Sequence, residues 1–111
     1  MNDRTLLELA ARAAGNGCTW CEFWETMARP LSDGSGWDNR ATWNPLKDDG
    51  DALRLAVTLG LLVDICRDYT CVCSETGDPI LQDQGKEKGE ATRRAIVRAA
   101  AEIGKSMGGG E

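Results

Sequence analysis

Cysteine is the residue type with the most evident chemistry in this chain of 111 residues. Two pairs stand at short spacings, a C-x-x-C at Cys18 and Cys21 and a C-x-C at Cys71 and Cys73, and Cys66 lies between the pairs. Zinc prefers four thiolates in a tetrahedron, so these four residues would form a zinc site if the sheet brought the pairs together. However, structural zinc sites usually repeat C-x-x-C, and a C-x-C within a strand places both sulfurs on one face at a separation awkward for one ion.

Two other uses of these thiols are open. A thioredoxin-like redox role requires a C-x-x-C that opens a helix after a strand, whereas Cys18 follows a predicted helix and Trp20 lies inside the motif. In the other interpretation the thiols are small core hydrophobes of a reduced protein, as free cysteine commonly is. The sequence favours this last interpretation, and we expect no metal ion or other cofactor.

Groups suited to catalysis are sparse in the sequence. There is no histidine, the side chain most often used for acid and base catalysis near neutral pH. The sequence also lacks a Ser-His-Asp or Cys-His arrangement, a glycine-rich phosphate loop and a metalloprotease signature. We therefore expect that the protein is not an enzyme.

Tryptophan supplies four of the six aromatic residues. Trp20 and Trp24 fall on one face of a predicted strand, which places them in the core. Trp37 lies in a polar, glycine-rich stretch where no apolar periodicity requires it, and tryptophan on such a loop is typical of interface anchors. We predict that Trp37, together with Arg40, contacts a partner. The alternative is that Trp37 docks on the protein's own surface.

Apolar periodicity and turn residues predict seven elements in the order α-β-β-α-β-β-α. They are helices at residues 5–14, 52–59 and 90–107 and strands at 18–27, 41–43, 61–66 and 70–74, with loops at 30–41 and 77–89. Asp48 or Asp49 is the predicted N-cap of the second helix, and Gly60 ends it. Because strands and helices do not alternate regularly, we predict an α+β fold in which an antiparallel sheet is packed with helices, a helix-sheet-helix sandwich.

The length of the chain predicts one core. A chain of this size buries enough surface to fold without disulfides or metal, so residues 1–107 are predicted to form a single domain and residues 108–111 a disordered tail. No apolar run approaches the ~18 residues of a membrane span, and the first residues lack the pattern of a secretory signal. We expect a cytoplasmic location and no membrane partner.

The charge of the chain is acidic and uneven. It carries 18 acidic and 13 basic residues, a formal charge of −5. Six of the basic residues lie in residues 86–111, so the first 85 residues carry −7. Direct nucleic-acid binding is therefore disfavoured, whereas mimicry of DNA by an acidic surface is an alternative. Arg93, Arg94 and Arg98 could grip phosphate or an acidic partner, although a solvated helix face accounts for them as well.

Three stretches carry a family resemblance. They are residues 3–11 (DRTLLELAA), 43–57 (WNPLKDDGDALRLAV) and 91–104 (ATRRAIVRAAAEIG). In this order they resemble the phage ABA sandwich domain family, small proteins of tailed phages and prophages. The resemblance implies a helix-sheet-helix fold and a phage origin, and it brings no activity or catalytic residues. Residues 18–40 and 66–75, which hold every cysteine, do not match the family pattern.

These observations predict a small phage or prophage accessory protein that acts by binding a host or phage protein. An anti-CRISPR-like inhibitor of a host defence system is one such role. The alternatives are an acidic DNA mimic that blocks a nucleic-acid-handling protein and a zinc-stabilised structural module, and a homodimer is left open.

Overall fold

Three helices and two antiparallel sheets make up the described chain, which is the α+β class that the sequence predicts. The computed structural model describes residues 2–75, 77 and 79–107, and of Asn39 only the backbone. The predicted tail at 108–111 lies outside the described residues. In chain order the elements are α1 (Asp3–Ala14), β1 (Thr19–Cys21), β2 (Thr26–Pro30), β3 (Trp37–Trp43), α2 (Asp49–Leu59), β4 (Leu62–Ile65), β5 (Tyr69–Cys73), β6 (Ile80–Asp83) and α3 (Lys88–Met107).

Capping residues define the ends of the first two helices. The Asn2 side chain accepts a hydrogen bond from the backbone of the first turn of α1, and Gly15 ends this helix with a φ of 63°. The Asp48 side chain accepts a hydrogen bond of 2.8 Å from the Asp51 N–H at the start of α2, and Gly60, with a φ of 64°, ends it. Glycine adopts this left-handed conformation at the lowest cost. Both predicted ends of α2 are confirmed.

Helix α3 is the central element of the fold, because it packs against α1, α2, β5 and β6. Its buried side consists mainly of small side chains, which allow close approach: Ala91, Ala95, Ile96, Val97, Ala99, Ala100, Ala101 and Gly104. At Gly104, helices α1 and α3 come so close that a Cβ atom on this residue would overlap the carbonyl oxygen of Leu9. The crossing of α1 and α3 therefore depends on a residue without a side chain.

The first sheet has the order β1-β2-β3 and packs on α1. Trp20, Met27 and Trp43 are neighbours across its three strands and join the core through one face. The predicted single strand at 18–27 is wrong. The chain reverses within it, so that Cys21 pairs with Thr26 in a hairpin.

The second sheet has the order β4-β5-β6, so the predicted antiparallel sheet is in fact two separate sheets. The predicted hairpin of 61–66 and 70–74 is confirmed as β4 and β5. The predicted loop at 77–89 is wrong, because Ile80–Asp83 pairs with β5 as a third strand and α3 begins at Lys88. Thr70 and Val72 are fully buried on the face toward α3, whereas the opposite face is open to solvent.

Candidate functional site

The turn between β1 and β2, residues 22–25, presents two adjacent aromatic side chains to solvent; we call it the hairpin tip. Phe23 is 87% exposed and Trp24 is 36% exposed. The pairing of Cys21 with Thr26 closes the turn, and Glu25 takes a φ of 50°, in the left-handed region that reverses the chain. Aromatic side chains are the groups that most often anchor protein interfaces, so this turn is the strongest candidate binding feature.

The root of this hairpin is fixed to α1. The Arg4 guanidinium lies 5.4 Å from the centre of the Trp20 ring, within the range of a cation–π contact. The same guanidinium donates a hydrogen bond of 2.9 Å to Glu22, the first residue of the hairpin tip. An exposed ion pair contributes little to stability, but together with the Trp20 contact it orients the turn relative to α1. The start of the turn that carries the two aromatic side chains is thus held against α1 by Arg4.

The two ends of the hairpin tip are acidic. Glu22 pairs with Arg4, and within the described chain Glu25 has no ion-pair partner. The hairpin tip therefore combines an apolar centre with negative charge at its edge. A surface of this kind is complementary to an apolar pocket with a basic rim.

The sequence did not predict Phe23 as a site residue. A four-residue run of polar, apolar, apolar and polar residues, Glu22 to Glu25, breaks the period-2 alternation of a strand. That break was the available signal for a turn. The turn contains no glycine, proline or asparagine, the residues that usually mark one. The predicted core position of Trp24 is wrong because this residue lies in the same unmarked turn, where its side chain is exposed.

Trp37 lies at a different place from the one that the sequence predicts. It is the first residue of β3, opposite Pro30 in the register, and its side chain is half-buried. The preceding turn is held together by one backbone hydrogen bond, which the Leu31 N–H donates to the Gly36 carbonyl, and by two hydrogen bonds from Ser35 to Asp33. These bonds lower the pKa of Asp33. The role of Trp37 as a partner contact stays a prediction.

Arg40 lies on an irregular part of β3. Arg29 pairs with Asp38 but Ala28 pairs with Thr42, so the intervening residues of β3 form a bulge. The Asp38 side chain accepts a hydrogen bond of 2.9 Å from the Arg40 N–H, and the Arg40 side chain is exposed. Bulges of this kind redirect side chains away from the regular pleat. Arg40 is accessible to a partner, and its contact role stays a prediction.

The four predicted zinc ligands are not brought together. Cys18 and Cys21 belong to the region of the first sheet, and Cys71 and Cys73 lie on β5 of the second. Among the residues that the structure describes, no group of three or more cysteine or carboxylate side chains could hold a metal ion. Burial raises the pKa of the Cys18 thiol, and Cys21 is fully buried. These two thiols behave as the small hydrophobes of the preferred interpretation.

Cys71 and Cys73 face solvent on the outer side of β5, half-buried, with their sulfur atoms 3.7 Å apart. Burial and the neighbouring Cys73 thiol, with smaller effects of Asp64 and Cys66, raise the pKa of Cys71. The sequence predicted a separation awkward for one ion. This expectation is wrong, because the two side chains lean together instead of projecting in parallel.

Charged residues on the helices are engaged within the fold. Hydrogen bonds and ion pairs join Arg93 to Asp49 (2.7 Å), Arg94 to Asp3 (3.1 Å) and Arg98 to Gln82 (2.8 Å). The hydrogen bond that the Arg93 guanidinium donates to the Asp49 carboxylate raises the pKa of Arg93. All three arginines are at most half-exposed, so they connect elements of the fold where the sequence suggested a solvated face.

Comparisons with family models, with curated proteins and with solved structures find no match to this chain. None of the helices within the described residues is both long enough and apolar enough to cross a membrane.

Proposed function

We propose that this protein acts without catalysis, by binding another protein through the hairpin tip, and that it is an accessory protein of a phage or prophage. The phage origin rests on the resemblance of residues 3–11, 43–57 and 91–104 to the phage ABA sandwich domain family. The binding role rests on one observation, the almost complete exposure of Phe23 beside Trp24.

Because the Phe23 ring stays exposed, folding gains no free energy from its burial, and this gain is left for binding. Burial of a phenylalanine side chain is worth about 1.5–3 kcal/mol. A partner that covers the ring gains this amount, and the anchored root at Trp20 limits the entropy lost on binding. The hairpin tip is therefore suited to act as an interface anchor.

The partner that fits this surface is a protein with an apolar pocket surrounded by lysine or arginine. Glu25, which has no ion-pair partner within the described chain, follows the aromatic pair, and the formal charge of the whole chain is −5. Opposite charge at the rim of an interface speeds association and excludes wrong partners. A component of a host defence system that handles nucleic acid carries basic surface of this kind.

Site-specific photocrosslinking tests the proposal. A benzophenone amino acid replaces Phe23, and in a matched control it replaces Leu53, an exposed residue of α2. After irradiation in a bacterial host lysate, we expect a discrete adduct at position 23 that is absent at position 53 and is weakened by Trp24→Ala. The same adducts at both positions, or no adduct at position 23, would contradict the proposal.

A further inference from the structure

The outer face of the second sheet carries a pair of thiols at its centre. Cys71 and Cys73 are two residues apart on β5, the middle strand, and their sulfurs lie 3.7 Å from each other. Asp64 and Leu62 are their cross-strand neighbours on β4, and Leu81 is opposite Cys71 on β6. Leu62 and Leu81 are 66% and 61% exposed, so nothing within the described chain covers this face. The two thiols are accessible and side by side.

Neither a disulfide nor a zinc ion suits this pair. Residues two apart on a strand have Cα atoms separated by about 6.7 Å, at the upper limit of about 6.8 Å for a disulfide. Zinc requires four ligands, and no third ligand from the described residues joins the two sulfurs.

Soft metal ions of low coordination number need fewer ligands than zinc does. Two thiolates are sufficient for them, and metal–sulfur bonds of about 2.3 Å bridge sulfurs that are up to about 4.6 Å apart. Two-coordinate copper prefers a nearly linear S–Cu–S unit, so the two sulfurs, 3.7 Å apart without metal, would separate by up to about 0.9 Å on binding, and rotation of the half-buried side chains supplies this movement without a shift of the strand. Thiolate ligands select monovalent copper among the common biological ions of this type.

We propose that Cys71 and Cys73 form a two-thiolate binding site for monovalent copper on the outer face of the β4-β5-β6 sheet. On binding, both S–H bonds break, two S–Cu bonds form and two protons pass to solvent. The ion enters and stays as Cu(I), so no electron donor or acceptor is required. The site is separate from the hairpin tip and does not depend on the protein-binding proposal.

A competition titration tests the site. Under anaerobic conditions with reductant, the whole protein is titrated with Cu(I) against the coloured chelator bicinchoninate. We expect one tightly held equivalent in the parent protein and in Cys18→Ser, a control that removes a half-buried thiol of the other sheet region. Cys71→Ser and Cys73→Ser each remove a ligand and should weaken binding about 100-fold or more, at least the effect of losing an outer-shell partner. Equal binding by parent and either of these two variants would overturn the proposal.

Protection from alkylation gives a second measurement that needs no variant. The parent protein, with or without one equivalent of Cu(I), is treated with N-ethylmaleimide, and peptide mass spectrometry reports each cysteine. We expect copper to protect Cys71 and Cys73 and to leave Cys18 unchanged. The same amount of Zn²⁺ should protect neither thiol of the pair. Protection of the pair by zinc, or no protection by copper, would show that the two-thiolate site is wrong.

Discussion

Phe23 and Trp37 are large aromatic residues of the first sheet region, one in a turn and one at the start of a strand, and their surroundings differ. Phe23 lies in the turn between β1 and β2, with its ring in solvent. Trp37 begins β3, opposite Pro30, and its side chain is half-buried. We therefore expect removal of the Phe23 ring to leave the packing of the fold intact, whereas removal of the Trp37 ring should lose packing within the fold.

The first prediction compares the two substitutions. Phe23→Ala should change the free energy of unfolding by no more than about 0.5 kcal/mol, as is usual for surface positions. It should weaken partner binding by about 2 kcal/mol or more, the size typical of an interface hot spot. Trp37→Ala should destabilise the fold by about 1–3 kcal/mol. Thermal melts with reductant present and binding titrations measure both effects. A large fall in the melting temperature of Phe23→Ala would place its ring in the core.

The second prediction concerns the reactivity of Cys71. Its pKa is raised above the ordinary value of 9.0, first by burial and then by the Cys73 thiol. A raised pKa leaves less thiolate at a given pH, so alkylation of Cys71 by iodoacetamide should reach half its maximal rate above pH 9.0. Cys73→Ser should move this midpoint to lower pH. A Cys71 midpoint below pH 9, read from peptide masses over a pH series, would contradict this assignment.

At the scale of elements, the features predictable from sequence are those with a local cause. Asp48 and Gly60 bound α2 because a carboxylate satisfies free N–H groups and glycine adopts a left-handed φ, and both effects act within one turn. The β1–β2 turn has no such local marker, since Glu25 is a non-glycine residue that takes a positive φ there. β6 is short, Ile80–Asp83, and these residues form a strand because they pair with β5.

The candidate site was less predictable than the fold for a related reason. Glycine and serine around Trp37 predict a loop, but the register of β2 and β3 places this residue in a strand. The alternation of residue types predicts Phe23 within a strand, but it lies in the turn between β1 and β2. In both cases the exposure of the side chain depends on strand pairing, which the residues near it in sequence do not determine.

The third prediction tests the crossing of α1 and α3. Gly104→Ala places a methyl group against the Leu9 carbonyl, so the helices must separate. We expect a loss of stability of about 1–3 kcal/mol from overpacking, even though alanine favours a helix by about 1 kcal/mol over glycine. Gly89→Ala, in the first turn of the same helix, is the matched control, since a Cβ atom there would meet side-chain ends, Arg93 at 3.1 Å and Glu87 at 3.2 Å, and no backbone atom. Urea unfolding should show that Gly89→Ala is neutral or stabilising; equal effects of the two substitutions would exclude this account.

At the scale of the whole molecule, the two sheets rest on different helices. The first sheet packs on α1 through Trp20, and the second packs on α3 through Thr70 and Val72. The hairpin tip therefore belongs to one sheet and the Cys71–Cys73 pair to the other. Substitutions at distant sites without shared partners have nearly additive effects, so the binding and copper experiments report on separate parts of the molecule.

The fourth prediction separates apolar anchoring from DNA mimicry through the response to salt. Between about 0.1 and about 1 M ionic strength the Debye length falls from about 10 to about 3 Å, which screens exposed charges. If Phe23 provides the main contact, the dissociation constant for the partner identified by crosslinking should rise by less than about tenfold over this range. Salt screening does not weaken the burial of an apolar ring. An acidic mimic in a DNA-binding groove should lose several powers of ten. Titrations at graded salt concentrations distinguish the two, and a steep loss would favour the mimic.

Among the residues that the structure describes, β4 and β6 each pair on one side only, so the second sheet has two open edges. An open edge with an apolar sequence is a template for amyloid-like growth, and residues 61–65 read Leu-Leu-Val-Asp-Ile. Asp64 is the only charge in this segment, and it lies on the edge strand itself. Adding a strand beside it would bring two carboxylates together or desolvate them.

Asp64→Val should therefore leave the monomer folded but shorten the lag before thioflavin-positive fibrils form. The control substitution Asp83→Asn on β6 should leave this lag unchanged. We therefore expect the carboxylate of Asp64 to oppose the addition of further strands at this edge.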